Sequence, residues 1–537
     1  MSKVISAQQA AALIKDGMTV AWTTASMCGF AEEIAAAIEK RFLETGTPRN
    51  LTLTHSCGSG DYPFGDAKGM NHFGHEGLVR KVIAGHIGQS PRLCKLVSEN
   101  KIETHFLPQG VMTHLWRQMA GKKIGVITKV GLGTFVDPRL QGGKITTITT
   151  DELVKLIEFE GEEYLYFKTF PIDVAVIRGT TADEKGNMTM TGEPLCLEAL
   201  SLATAVKNRG GIVLAQVLYT AKTGTLNCRR VRVPGVLVDH VVVAKPENHL
   251  QTTATFYNPA LCGEATSPLE AIPPLPLDER KVILRRAAME MSANATLNLG
   301  IGMPEGVASV AVEEGVIEMV TLTTELGGFG GIPASGPDFP ATRNAECTAD
   351  HSFMFDFYDG GGLDICVVGL AQTDAEGNLN VSKFGDRIVG PGGFINITSS
   401  AKKVVFVGTM TVGARCAVQD GKLIIVKEGN KKKFVRQVEH VTFSGKYARK
   451  IGKPVFYVTE RAVFSLEADG MTLIEIAPGL QLERDIISAM EFRPKISSLV
   501  REMPRELFEP QWGKLKRMME KNGVALADTS TTNDTTR

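Results

Sequence analysis

Glu325 carries the plainest chemical potential in the chain. It stands in TLTTELGGFGGIP, Thr321 to Pro333, between an extended Thr- and Leu-bearing run and glycines at 327, 328, 330 and 331. The run before it predicts a strand, and the glycines predict a loop that lets something approach closely. A carboxylate there is a modest nucleophile and a good leaving group, suited to covalent catalysis at a carbonyl. Position alone is equally compatible with a polar turn residue.

Other Gly-rich turns offer complementary groups. LPQGVMTHLW places Gln109, an uncharged donor able to bind a carbonyl oxygen, before Gly110. In GPGGF, Gly392 and Gly393 can point adjacent backbone N–H groups into a cavity, as an oxyanion site requires. NLGIGMPEGVASVAVEEG runs a strand into Gly300-Ile301-Gly302 and then an amphipathic helix, a geometry that can hold a phosphate. Its G-x-G-x-x-x-G spacing is one residue longer than the dinucleotide fingerprint. GLGTFVDPRLQGGK, from Gly131, has the same loop character without a titrating group in its turn. No nucleophile elbow, Walker A or H-E-x-x-H pattern occurs, the histidines are dispersed, and no Cys/His cluster has metal spacing.

The elements that must hold these residues come in two similar sets. Ser6 and Gln9 form a capping box for a helix to Lys15, Gly17 ends it, and MTVAWT follows as a strand. Later, Asp278 predicts the N-cap of a helix through Met291, Asn294 ends it, and ATLNL follows as a strand. DVAVIRGTTADEKGNM from Asp173 echoes DICVVGLAQTDAEGNL from Asp364, with Asp and Gly-Asn at the same spacing. These repeats predict two related α/β domains, at 1–262 and 279–523, joined by a Pro-rich linker at 263–278 and followed by a disordered tail at 524–537. Setting ITKVGLG against LTTELGG makes Val130 the counterpart of Glu325.

Composition excludes several classes. Lys+Arg and Asp+Glu balance at 59 each, which gives no field for nucleic acid or an anionic membrane. No apolar run approaches the roughly 20 residues of a membrane span, and MSKVISAQQAAALIKDG lacks a signal h-region. A cytoplasmic protein is expected, its nine scattered cysteines free thiols.

Together, TTELGGFGG, NLGIGMP, FDFYDGGGLD, GNLNVSKFG, GPGGFINI, LPQGV and TFVDPR resemble the family I coenzyme A transferases, in particular the fused single-chain acetate and propionate branch, related to succinyl-CoA:3-ketoacid CoA-transferase. The resemblance runs from about residue 3 to residue 510. It implies two tandem, related open α/β domains with the active site between them, and transfer of CoA between short-chain acyl-CoA thioesters and carboxylates such as acetate through a glutamyl-CoA thioester. Glu325 falls on the family's nucleophile and Gln109 on its carbonyl-binding glutamine. Gly300, Gly302, Met303, Gly392 and Gly393 fall on substrate- or CoA-binding positions. The resemblance further implies CoA as substrate, no permanently bound cofactor, no metal, and a homo-oligomer, dimer or tetramer. The residues by themselves also admit an acyl-CoA hydrolase, should water intercept the thioester, or a non-catalytic acyl-CoA sensor.

Overall fold

The computed structural model describes residues 2–268 and 274–530, with side chains through 522. Two compact units emerge. The first gathers Met1–Ser267 with two later segments, Thr324–Phe357 and Ser382–Asn396; the second comprises Pro268–Thr323, Tyr358–Val381 and Ile397–Arg537.

In the first unit, the Ser6 hydroxyl accepts from Gln9 N and the Gln9 side chain accepts from Ser6 N, so the expected capping box starts the helix Ala7–Leu13. The strand Thr19–Trp22 that follows is central to an eight-stranded sheet. Its order is Val4–Ile5, His240–Val243, Ile212–Val217, Val174–Arg178, Thr19–Trp22, Leu51–His55, Val79–Ala84 and Glu103–Phe106, every pair parallel. The central strands are buried at every residue, as both faces of a parallel sheet require. After Thr19–Trp22 the chain lays three strands to one side, then crosses to Val174–Arg178 on the other. Such a reversal opens a crevice at the carboxyl ends of the strands, where ligands bind in open α/β sheets.

The second unit repeats the plan. Asp278 caps the helix Glu279–Ala288 by accepting from Lys281 N at 3.0 Å, and Asn294 adopts a left-handed φ of +64° before the strand Thr296–Leu299. Around that strand, Thr321–Thr323 pairs on one side and Ile365–Gly369, Lys403–Val407 and Val455–Val458 extend the other, all parallel, before three further strands to Glu502.

Shared hydrogen bonds explain the sequence echo. Asp173 accepts from Thr19 N at 2.8 Å, and Asp364 from Thr296 N at 2.9 Å. Asp183 accepts from Asn187 N and the Asn187 side chain, as Asp374 does from Asn378, and each Asn oxygen then accepts from a distant glycine N–H, Gly235 or Gly445.

This register overturns the pairing of Glu325 with Val130. Gly125–Thr128, which leads to Val130, belongs to a separate antiparallel sheet with Val154–Phe159 and Glu162–Lys168. Thr19 pairs with Thr52 in one repeat and Thr296 with Thr321 in the other, so carrying the register forward makes Ser56 the counterpart of Glu325. TLTHSCG from Thr52 is the true match to TLTTELG from Thr321. The earlier alignment failed because it followed the glycines rather than the strand pairing.

At the end of the chain a helix, Leu515–Ser530, runs into the stretch expected as a disordered tail, whose residues 531–537 lie outside the described ones. The linker's 269–273 also lie outside them.

Candidate active site

Glu325 sits one residue beyond Thr324, which directly follows the strand Thr321–Thr323. Thr324 closes the turn around it: Thr324 N donates to Gly328 O at 2.9 Å, Gly327 N to Thr324 O at 3.0 Å, and Gly328 N to the Thr324 hydroxyl at 3.1 Å. Leu326 is fully buried among Ala25, Cys28, Leu195 and Leu197, with Cys57 against the cluster, while Glu325 itself is half-buried. The turn thus anchors the Leu326 side chain in the core and sets Glu325 half-buried beside it.

The glycines serve this turn in a way the sequence did not disclose. A Cβ on Gly327, whose φ is +120°, would stand 2.2 Å from the Ala349 carbonyl oxygen. On Gly328 it would lie 2.6 Å from the Thr342 hydroxyl, and on Gly331 2.2 Å from Arg343 O. What approaches closely here is the protein's own backbone and side chains. Phe329 packs edge-on against Phe357 at 5.3 Å between ring centroids.

The same unit brings Gln109 and the Gly392 turn together. Gln109 starts the helix Gln109–Ala120, just after the carboxyl end of the strand Glu103–Phe106. Its N–H donates to Gly392 O at 3.1 Å, and Gly110 N donates to the Asn396 side-chain oxygen at 3.0 Å. Gly392 N donates to Gly85 O at 2.8 Å, so the expected pair of open amides is reduced: Gly392 is engaged, and an oxyanion site drawn on this turn uses Gly393. Gly393 immediately precedes the helix Phe394–Ser400.

Protonation states near Glu325 follow from this packing. Burial first, then the carboxylates of Glu325 and Glu198, push the Cys57 thiol well above its ordinary pKa, so it stays a thiol. Burial lowers His55 and His86 to about 4, which leaves both imidazoles neutral at pH 7. His55 Nδ1 bonds to Cys57 O at 2.7 Å. Sequence reasoning missed Ser56, Cys57, Glu198 and His351, and the TLTHSCG repeat was the signal that pointed to the first two.

Gly300, Gly302 and Met303 belong to the second unit. Gly300 N donates to Val367 O at 2.8 Å, and Gly302 N to the Glu305 carboxylate at 2.9 Å. Two of the amides expected to cradle a phosphate, those of Gly300 and Gly302, are therefore engaged by the protein itself.

Residues 4–244 match the family model described as coenzyme A transferase. The chain is 53% identical over 527 residues to the caffeate CoA-transferase of Acetobacterium woodii, covering 97% of this chain and 100% of that protein. The chain belongs to the coenzyme A transferase family. It is also 44% identical to acetate CoA-transferase YdiF of Escherichia coli K12, covering 94% of this chain and 95% of the relative. The crystal structure of the acyl-CoA transferase YdiF from E. coli O157:H7, as a thioester complex with CoA, superposes with a TM-score of 0.90 at 42% identity, covering 95% of this chain and 97% of that one. This CoA-transferase therefore has the two-domain α/β fold expected, and among its described residues no helix is long and apolar enough to cross a membrane.

Proposed function

We propose that this CoA-transferase moves CoA between short-chain acyl-CoA thioesters and free carboxylates such as acetate through a covalent thioester on Glu325. One observation carries the reading: Glu325 is the half-buried carboxylate of a tight turn at the end of a parallel strand, packed in one unit with Gln109 and the Gly392 turn. Its carboxylate attacks the thioester carbonyl, and collapse of the tetrahedral intermediate expels CoA thiolate and leaves a mixed anhydride. The thiolate then attacks the glutamyl carbonyl, releasing the first carboxylate and forming glutamyl-CoA. An incoming carboxylate runs both steps in reverse. Gln109 and the Gly393 N–H are assigned as donors to the oxyanion of each tetrahedral state.

Incubation with acetyl-CoA and no acceptor tests the reading. Hydroxylamine should then inactivate the enzyme irreversibly, with the hydroxamate mapping by mass spectrometry to Thr321–Pro333. A hydrolase would discharge to water and a sensor would form no adduct; either result, or labelling at a cysteine, refutes the proposal. The 53% identity to a caffeate CoA-transferase favours a second reading, an aryl-acrylate acceptor. Discharging the isolated thioester with acetate or caffeate, and comparing rates, separates the two. A homo-oligomer is proposed as well, to be checked by light scattering against the chain mass of 58.0 kDa.

A further inference from the structure

Behind Gln109 runs a line of buried hydrogen bonds that the transfer steps above leave unused. The Gln109 amide nitrogen lies 3.0 Å from His351 Nε2, and His351 Nδ1 lies 2.9 Å from Glu198 Oε2. The Ser56 hydroxyl donates to Glu198 Oε1 at 2.5 Å. All four residues lie in the first unit and are at most 1% exposed.

Donor and acceptor roles follow in order. The Ser56 hydroxyl donates to one Glu198 oxygen, and His351 Nδ1–H faces and donates to the other. With its proton on Nδ1, the ring presents a lone pair at Nε2, which accepts one N–H of Gln109. That bond fixes which way round the amide stands, and it leaves the second N–H of the same nitrogen to donate elsewhere. The backbone reinforces each link. His351 N donates to Leu197 O at 3.0 Å, Asp350 before it is held by Arg232 at 2.6 Å, and Leu197 takes a left-handed φ of +48° directly before Glu198. A non-glycine residue in that conformation is strained, and such strain clusters at functional sites.

We infer that His351 is a positioning residue for the reaction: held in its Nδ1–H tautomer by Glu198 and Ser56, it locks the Gln109 amide with a nitrogen donor toward the developing oxyanion. This rests on the reading of Gln109 as the donor to the thioester carbonyl. Without the relay the amide can rotate and offer its oxygen, a repulsive partner for an oxyanion.

Two substitutions separate positioning from packing. His351→Asn keeps a donor for Glu198 but loses the acceptor for Gln109, whereas His351→Gln can place an amide oxygen near the Nε2 position. The rate of thioester formation from acetyl-CoA, in single turnover, should fall about 10- to 100-fold in His351→Asn with KM little changed, and recover in part in His351→Gln. In a Gln109→Ala background, His351→Asn should cost less than about 2-fold more, since interacting residues are non-additive. Selective ¹⁵N-histidine labelling of the unmodified enzyme should show His351 protonated at Nδ1 and not at Nε2. An Nε2–H tautomer, additive losses in the double variant, or wild-type rates in His351→Asn would each overturn the inference. Loss of the glutamyl-CoA adduct in otherwise intact enzyme would instead overturn the underlying transferase mechanism, so the two failures are distinguishable.

Discussion

The nucleophile role proposed for Glu325 depends on the two residues that flank it. Leu326 is drawn into the core and Thr324 ties off the turn, so Glu325 has little freedom besides its own side chain. Glu325→Ala should abolish transfer while leaving the thermal transition and CoA binding near wild type. Glu325→Asp withdraws the carboxylate by about 1 Å, a misplacement that can cost about 10²-fold in kcat. Gln109→Ala should lower kcat by about 10²- to 10³-fold with KM little altered; a change in KM alone would contradict an oxyanion role. Gly327→Ala tests the turn. Its added Cβ would meet Ala349 O at 2.2 Å at a φ that L residues avoid, whereas Gly336, with φ +62°, has open space around it. Gly336→Ala should cost about 1 kcal/mol in urea denaturation and Gly327→Ala several times that, with activity lost alongside.

Elements are pinned in the first unit by charge as well as by apolar burial. His72, in the turn Met70–Phe73, bonds through Nδ1 to Glu39 at 2.5 Å and through Nε2 to Glu32 at 2.8 Å, both on the helix Glu32–Thr45. Glu39 also bonds His75 at 2.6 Å, and Gly69 N donates to Glu32 at 3.0 Å. Burial opposes a charge on His72, but its hydrogen bonds to both carboxylates outweigh it and raise the imidazole to about 9. A raised folded-state pKa stabilises fully below the unfolded value of about 6.5 and loses that stabilisation as pH climbs through about 9. The clamp contributes on the order of 3 kcal/mol at most. Urea midpoints measured from pH 6 to pH 10 should fall across that window, and His72→Gln should flatten the decline. The paired Asp turns at 183 and 374 show how much of this level was legible in sequence: an Asp followed by Gly-Asn writes its own local hydrogen bonds, and both copies form them. The His72 clamp was not legible, because its partners lie 33 and 40 residues away and meet only when the helix docks.

At the scale of the whole molecule, compactness does not follow chain order. The first unit borrows Thr324–Phe357 and Ser382–Asn396 from the second half of the sequence, and with them Leu326 in its core, His351 against Glu198, and Gly392 O for Gln109 N. A fragment of residues 1–267 would expose Leu195 and Leu197 and leave Glu198 without its histidine partner. That fragment should lack a cooperative thermal transition, and co-expression with residues 268–537 should restore one; sharp unfolding of the fragment alone would contradict the assignment of units. The sequence by itself determined the α/β class, the duplication, the cap residues at Ser6 and Asp278, and Glu325 as the chemical candidate. Each is written in short-range patterns, or in a family resemblance that spans most of the chain. Tertiary structure decided that Ser56, not Val130, is the counterpart of Glu325 in the other repeat, since strand register is fixed by pairing with a distant neighbour. It decided too that the glycines make room for Ala349, Thr342 and Arg343, and that Gln109 is backed by His351 and Glu198. Those contacts join residues far apart in the chain, and no local pattern of side chains encodes which of them will meet.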